Sequence, residues 1–120
     1  MNETLMGTSI KDVGRNIQQL SRDNKKLERY LNSIGTSSDT EQFRLKLKDE
    51  IHETTTLVKS LLSNIQDLKS VDNSNKLQRL EKQFLEQYTK LSQVTKTIKN
   101  RLESTKPSSS TNGNNNTRSL

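Results

Sequence analysis

An all-α, antiparallel up-down-up three-helix bundle is the fold this sequence predicts, on three observations. Apolar residues recur at steps of three and four along three separate stretches, short polar segments separate those stretches, and residues 1–105 contain no proline. With 27% hydrophobic and 28% charged residues and a mean hydropathy of −0.98, the 120-residue chain has narrow stripes to bury and no thick core.

The first helix is expected over about 9–34. Ile10, Val13, Ile17, Leu20, Asn24, Leu27, Leu31 and Ile34 lie along one face. Asn24 is the one polar member, and a polar residue in a helical seam more often fixes register than binds a ligand. Gly14 costs about 1 kcal/mol relative to Ala in mid-helix, so it either admits a close neighbour or has no packing role. Gly35 then ends the helix where a left-handed backbone is wanted.

The second helix is expected over about 40–70, opened by a capping box of Ser38 with Glu41 or of Asp39 with Gln42. Its stripe is Leu47, Ile51, Thr54, Val58, Leu61, Ile65 and Leu68, widened by Phe43 and Leu57. Val71-Asp72-Asn73-Ser74 reads as a turn in which Asn73 or Ser74 caps a third helix over about 75–103. The third stripe is Leu77, Leu80, Phe84, Tyr88, Leu91, Val94, Ile98 and Leu102, a spacing near 3.6 that turns Tyr88 rather than Gln87 inward. Ile17, Leu61, Phe84 and Leu91 are the expected core anchors. Connections of about five residues make consecutive helices antiparallel neighbours and favour a monomer. Residues 1–8 and the polar low-complexity stretch 104–120 have nothing to bury and are expected to be a disordered N-terminus and a disordered linker or tail.

Composition excludes several function classes. Cysteine is absent, which removes disulfides and thiolate metal sites. In His52-Glu53-Thr54-Thr55-Thr56 a Thr stands where a zinc-protease helix needs its second His, so no metal is expected and His52 is expected at the rim or in solvent. No phosphate-binding glycine loop or nucleophile–base pair occurs, so neither an enzyme nor a cofactor is expected. No apolar run is long enough for a signal sequence or a membrane span, and the chain is expected to be soluble. The sequons at Asn2 and Asn115 are short polar matches of the kind that arise by chance.

Charge is uneven: +3 over 9–34, 0 over 40–71 and +5 over 76–106, within a total of +6. A basic third helix can be a solvated face, or can serve nucleic acid, anionic lipid or an acidic protein. Of the four aromatic residues Tyr30, Phe43, Phe84 and Tyr88, three fall on or beside core stripes, so stacked bases are not expected and nucleic acid is not the expected partner.

Asn16-Ile17-Gln18, Leu31-Asn32, Ile34-Gly35-Thr36, Asp39-Thr40, Phe43-Arg44, Leu47, Thr54, Leu57 and Lys59 together resemble the Habc domain of endosomal and vacuolar syntaxins. These carry the pattern L-G-T-x-x-D-[ST]-x-x-L-R-x-x-L followed by a T-x-x-L-x-K helix. The resemblance covers about residues 9–103, and its most specific part is the turn built on Gly35, Thr36, Asp39, Thr40, Phe43 and Arg44. Phe43 departs from the usual Leu, and residues 1–8 do not match the short N-terminal peptide by which some syntaxins engage Sec1/Munc18 proteins.

The resemblance implies the regulatory N-terminal part of a syntaxin-type t-SNARE (a Qa-SNARE) in vesicle docking and membrane fusion, on the cytosolic face of endosomal or vacuolar membranes. Its implied partners are the SNARE motif of the parent syntaxin, other SNAREs and a Sec1/Munc18-type regulator, with a membrane reached only through a C-terminal anchor beyond this fragment. Leu62 and Leu85, level with one another just off the core stripes, are the candidate contacts for a fourth helix docked between the second and third. The competing readings are an unrelated three-helix adaptor or spacer and a basic bundle that binds nucleic acid or lipid.

Overall fold

The computed structural model describes residues 9–72 and 74–108, and the expectations for residues 1–8, Asn73 and 109–120, including both sequons, lie outside them. Three helices follow in order: α1 Ile10–Ser33, α2 Glu41–Lys69 and α3 Asn75–Ser104. No strand is present among the described residues.

Local chemistry sets each helix start. Ser9 and Asp12 form a reciprocal capping box, with the Asp12 N–H donating to Ser9 Oγ and the Ser9 N–H to Asp12 Oδ2. The Ser9 N–H, with the Ser9 hydroxyl and Arg15, holds the Asp12 carboxyl below its usual range. At α2 neither expected box forms. Thr40 is the N-cap, its Oγ1 accepting from the Phe43 N–H at 3.1 Å, because Asp39 is turned inward to other partners and Ser38 lies outside the helix. Ser74 caps α3 through the Leu77 N–H.

Cross-helix contacts establish the topology. Lys26 meets Glu50 and Tyr30 packs edge-on against Phe43 at 5.5 Å, so α1 and α2 run antiparallel. Lys69 meets Glu81 at one end and Arg44 reaches Leu102 at the other, so α2 and α3 are antiparallel too. The core joins Val13, Ile17, Leu20 and Leu27 of α1 to Leu47, Val58, Leu61 and Ile65 of α2 and to Leu77, Phe84, Leu91, Val94 and Ile98 of α3. Ile17, Leu61, Phe84 and Leu91 are all buried in it.

One inward assignment is reversed. Tyr88 is 46% exposed, and Gln87 takes the interior position. Asn24 Nδ2 donates to both the Gln87 carbonyl and Gln87 Oε1 at 3.0 Å, a polar layer across α1 and α3. Placing Gln87 inside converts the stripe to strict steps of three and four over Leu77, Leu80, Phe84, Gln87, Leu91, Val94 and Ile98. That is the 3.5-residue period of helices wound round one another, and it wins over the 3.6 of an isolated helix.

Candidate functional site

Two features distinguish this bundle from a generic one: a hydrogen-bonded corner, and an open groove between α2 and α3. The corner is built on the α1–α2 turn. Gly35 has φ +87°, which lets its N–H point at Asp39 Oδ2 at 2.8 Å. Thr36 donates its hydroxyl to the Ser33 carbonyl and tightens the end of α1. Asp39 is fully buried, and its carboxylate takes two hydrogen bonds of 2.8 Å from Nε and Nη2 of Arg44. The Arg44 guanidinium, with the Gly35 N–H, holds the Asp39 carboxyl below its usual range against the opposing effect of burial.

Arg44 also ties the corner to the end of α3. Its Nη1 donates to the Leu102 carbonyl at 3.2 Å and its Nη2 to the Thr105 carbonyl at 2.7 Å, satisfying two acceptors that the helix end leaves free. The Ser108 N–H donates to the Asp39 carbonyl. Residues 105–108, part of the stretch expected to be a free tail, therefore lie against the α1–α2 turn. All six residues of the turn signature meet here, with Thr40 as cap and Phe43 against Tyr30.

The groove holds the two remaining site residues. Leu62 and Leu85 are 47% and 52% exposed and line one cleft of about 360 Å³ with Thr55, Val58, Lys59, Phe84 and Tyr88. Phe84 forms its floor and Tyr88 stacks on Phe84 at 6.3 Å, so the outward Tyr88 ring becomes a wall of the cleft. Toward the corner the same α2–α3 face continues into a cleft over Ile51, Ser92, Thr95 and Leu102, and then into one over Leu45, Ile51, Leu102 and Pro107. Ile51 and Leu102 belong to both, so the depression is continuous there.

Sequence reasoning placed Leu62 and Leu85 on this surface and missed Tyr88, Lys59 and Leu45. The signal was present: Leu45, Lys48, His52, Thr55, Lys59 and Leu62 recur at steps of three and four, parallel to the core stripe of α2. His52 is exposed. No cluster of His, Asp or Glu that could hold a metal occurs among the described residues, and no described helix is long and apolar enough to cross a membrane. The chemistry this surface offers is recognition of an apolar segment in a groove.

A family model described as syntaxin-like protein matches residues 9–119, from the N-cap of α1 onward. The chain belongs to the syntaxin-like family. The match supports a syntaxin N-terminal domain of the Habc type, and the three-helix architecture agrees with it. Membership implies SNARE-type interactions in general. Comparisons with curated proteins and with solved structures find no match.

Proposed function

We propose that this syntaxin-like domain is the regulatory N-terminal module of a t-SNARE in endosomal or vacuolar vesicle docking and fusion. It holds the parent's own SNARE helix, or a trafficking regulator of the Sec1/Munc18 type, in the α2–α3 groove. The observation that carries this reading is the pair of half-exposed leucines, Leu62 and Leu85, lining one open cleft between α2 and α3. A mere spacer needs no such groove. The endosomal or vacuolar assignment rests on the turn signature from Gly35 to Arg44, which the structure uses to hold two helix ends together.

Titration calorimetry with the parent's SNARE helix tests the reading. The unmodified domain binds it, and the double variant Leu62→Ser/Leu85→Ser, still folded, binds it more weakly. Equal binding by the two would make the leucines bystanders and remove the proposal. For the compartment, a fluorescent fusion of the parent protein should sit on endosomes or the vacuole; residence at the cell surface would refute that part.

A further inference from the structure

The rim of the groove is predominantly basic. Lys59 borders the Leu62–Leu85 cleft, Lys96 and Lys99 border the Ile51–Leu102 cleft, and Lys48 borders the cleft at the corner. None of the four is in an ion pair among the described residues. The carboxylates that line these clefts lie only toward the corner. Glu81 is held by Lys69 at 3.0 Å at one end, and Glu103 and Glu41 lie beside the corner at the other. Glu50 of α2 is turned away to Lys26 of α1. Thus α2, neutral as a whole, lines the groove with Lys48 and Lys59 and with one carboxylate, Glu41 at the corner.

We propose that the groove takes an amphipathic α-helix whose apolar stripe is flanked by Asp and Glu. The inference rests on the groove reading above and adds the chemistry of the occupant. Leu62, Leu85 and Tyr88 receive the stripe at one end, and Ile51 and Leu102 receive it toward the other. Leu45 and Leu62 are seventeen residues apart on α2, about 26 Å at the helical rise, so a helix laid along this row of clefts covers about five turns. A helix lying there brings its flanking positions to Lys48, Lys59, Lys96 and Lys99, where carboxylates gain partners and cations are repelled. Other occupants fit worse. A second copy of the chain would bring another net charge of +6 to a basic rim. Residues 109–120 contain no carboxylate side chain and a single apolar residue, Leu120, so they provide neither stripe nor counter-charge.

The test uses the 120-residue chain and two synthetic helices of about 21 residues, enough to span the groove, with the same Leu/Ile stripe and either Glu or Lys at the flanking positions. Fluorescence anisotropy should show the Glu-flanked peptide binding at least about tenfold more tightly, with the gap narrowing from about 50 mM to about 500 mM salt as the charges are screened. Lys59→Glu/Lys96→Glu, both exposed positions, should reverse the preference, while Leu62→Ser/Leu85→Ser should weaken both peptides. Equal binding of the two peptides with leucine dependence overturns the charge inference and leaves the groove standing. Failure of both peptides to bind removes the groove along with it. Lysine dependence without leucine dependence also overturns the inference; if vesicles of phosphatidylserine and phosphatidylcholine then bind with the same lysine dependence, the lysines serve a lipid surface.

Discussion

The Arg44 guanidinium grips the buried Asp39 carboxylate through two hydrogen bonds of 2.8 Å and donates two of its three remaining N–H groups to the Leu102 and Thr105 carbonyls of the α3 terminus. A single side chain on α2 thereby closes the α1–α2 turn and fixes where the chain leaves the bundle. Removing Arg44 strands a carboxylate away from water, so Arg44→Ala should cost about 3 to 5 kcal/mol in denaturant unfolding. Arg44→Lys should recover only part of this, because an ammonium lacks the planar fork. A loss below about 1 kcal/mol for Arg44→Ala would show that water or neighbouring groups replace the pair.

The same pair makes stability depend on acid. The folded pKa of Asp39 lies below its ordinary value of 3.8, so between the two the unfolded chain binds the proton and lowering the pH favours unfolding. The contribution is fully present above about pH 5 and is lost as pH falls through the folded pKa. In thermal melts, Asp39→Asn should start less stable at neutral pH and lose less on acidification than the unmodified protein. Parallel acid limbs would assign the acid sensitivity to other carboxylates.

Phe84 and Leu61 sit mid-helix at 3% and 0% exposure. Phe84→Ala and Leu61→Ala should each destabilise by about 2 to 5 kcal/mol, the cost of lost burial plus the cavity left. Leu62→Ser/Leu85→Ser should cost about 1 kcal/mol or less per site, since both residues already face solvent. Urea midpoints for the two sets should therefore separate clearly, and comparable losses would place Leu62 and Leu85 in the core.

Asn24 and Gln87 form an incompletely satisfied polar layer between α1 and α3. Asn24 Nδ2 is satisfied twice, yet Asn24 Oδ1 is buried without a partner among the described residues. Replacing both by Leu should raise stability by about 1 kcal/mol or more, as removal of a partly satisfied buried polar layer does. A fall in melting temperature would mean that the layer is better satisfied than its geometry shows.

The two described glycines make opposite predictions. A Cβ on Gly14 would meet Leu80 Cδ2 at 3.8 Å, an ordinary contact, so Gly14→Ala should stabilise α1 by about 1 kcal/mol. Gly35, at φ +87°, has the left-handed backbone, and Gly35→Ala should destabilise by about 1 to 2 kcal/mol. Chemical unfolding of the two variants checks both signs.

Helix number, order and direction were legible from the chain because they rest on near neighbours. Stripes such as Leu47 to Leu68 need only the helical period, and the turn at Gly35 needs only a residue that accepts positive φ. A short connection at Asp72 sets the fold-back that brings Leu62 and Leu85 to one cleft. Contacts between distant residues decided the rest. Gln87 displaced Tyr88 from the interior because Asn24, 63 residues earlier, demanded a hydrogen-bond partner and because three helices packed together adopt the 3.5-residue period. Asp39 became the partner of Arg44 and Thr40 became the cap of α2, a choice that local spacing left open among several oxygens. The outward Tyr88 and the ring of lysines acquired meaning only when α2 and α3 came to rest with a groove between them. Periodicity ranks the faces of one helix, whereas a groove, a buried ion pair or a polar layer is a relation between surfaces that the folded chain brings together.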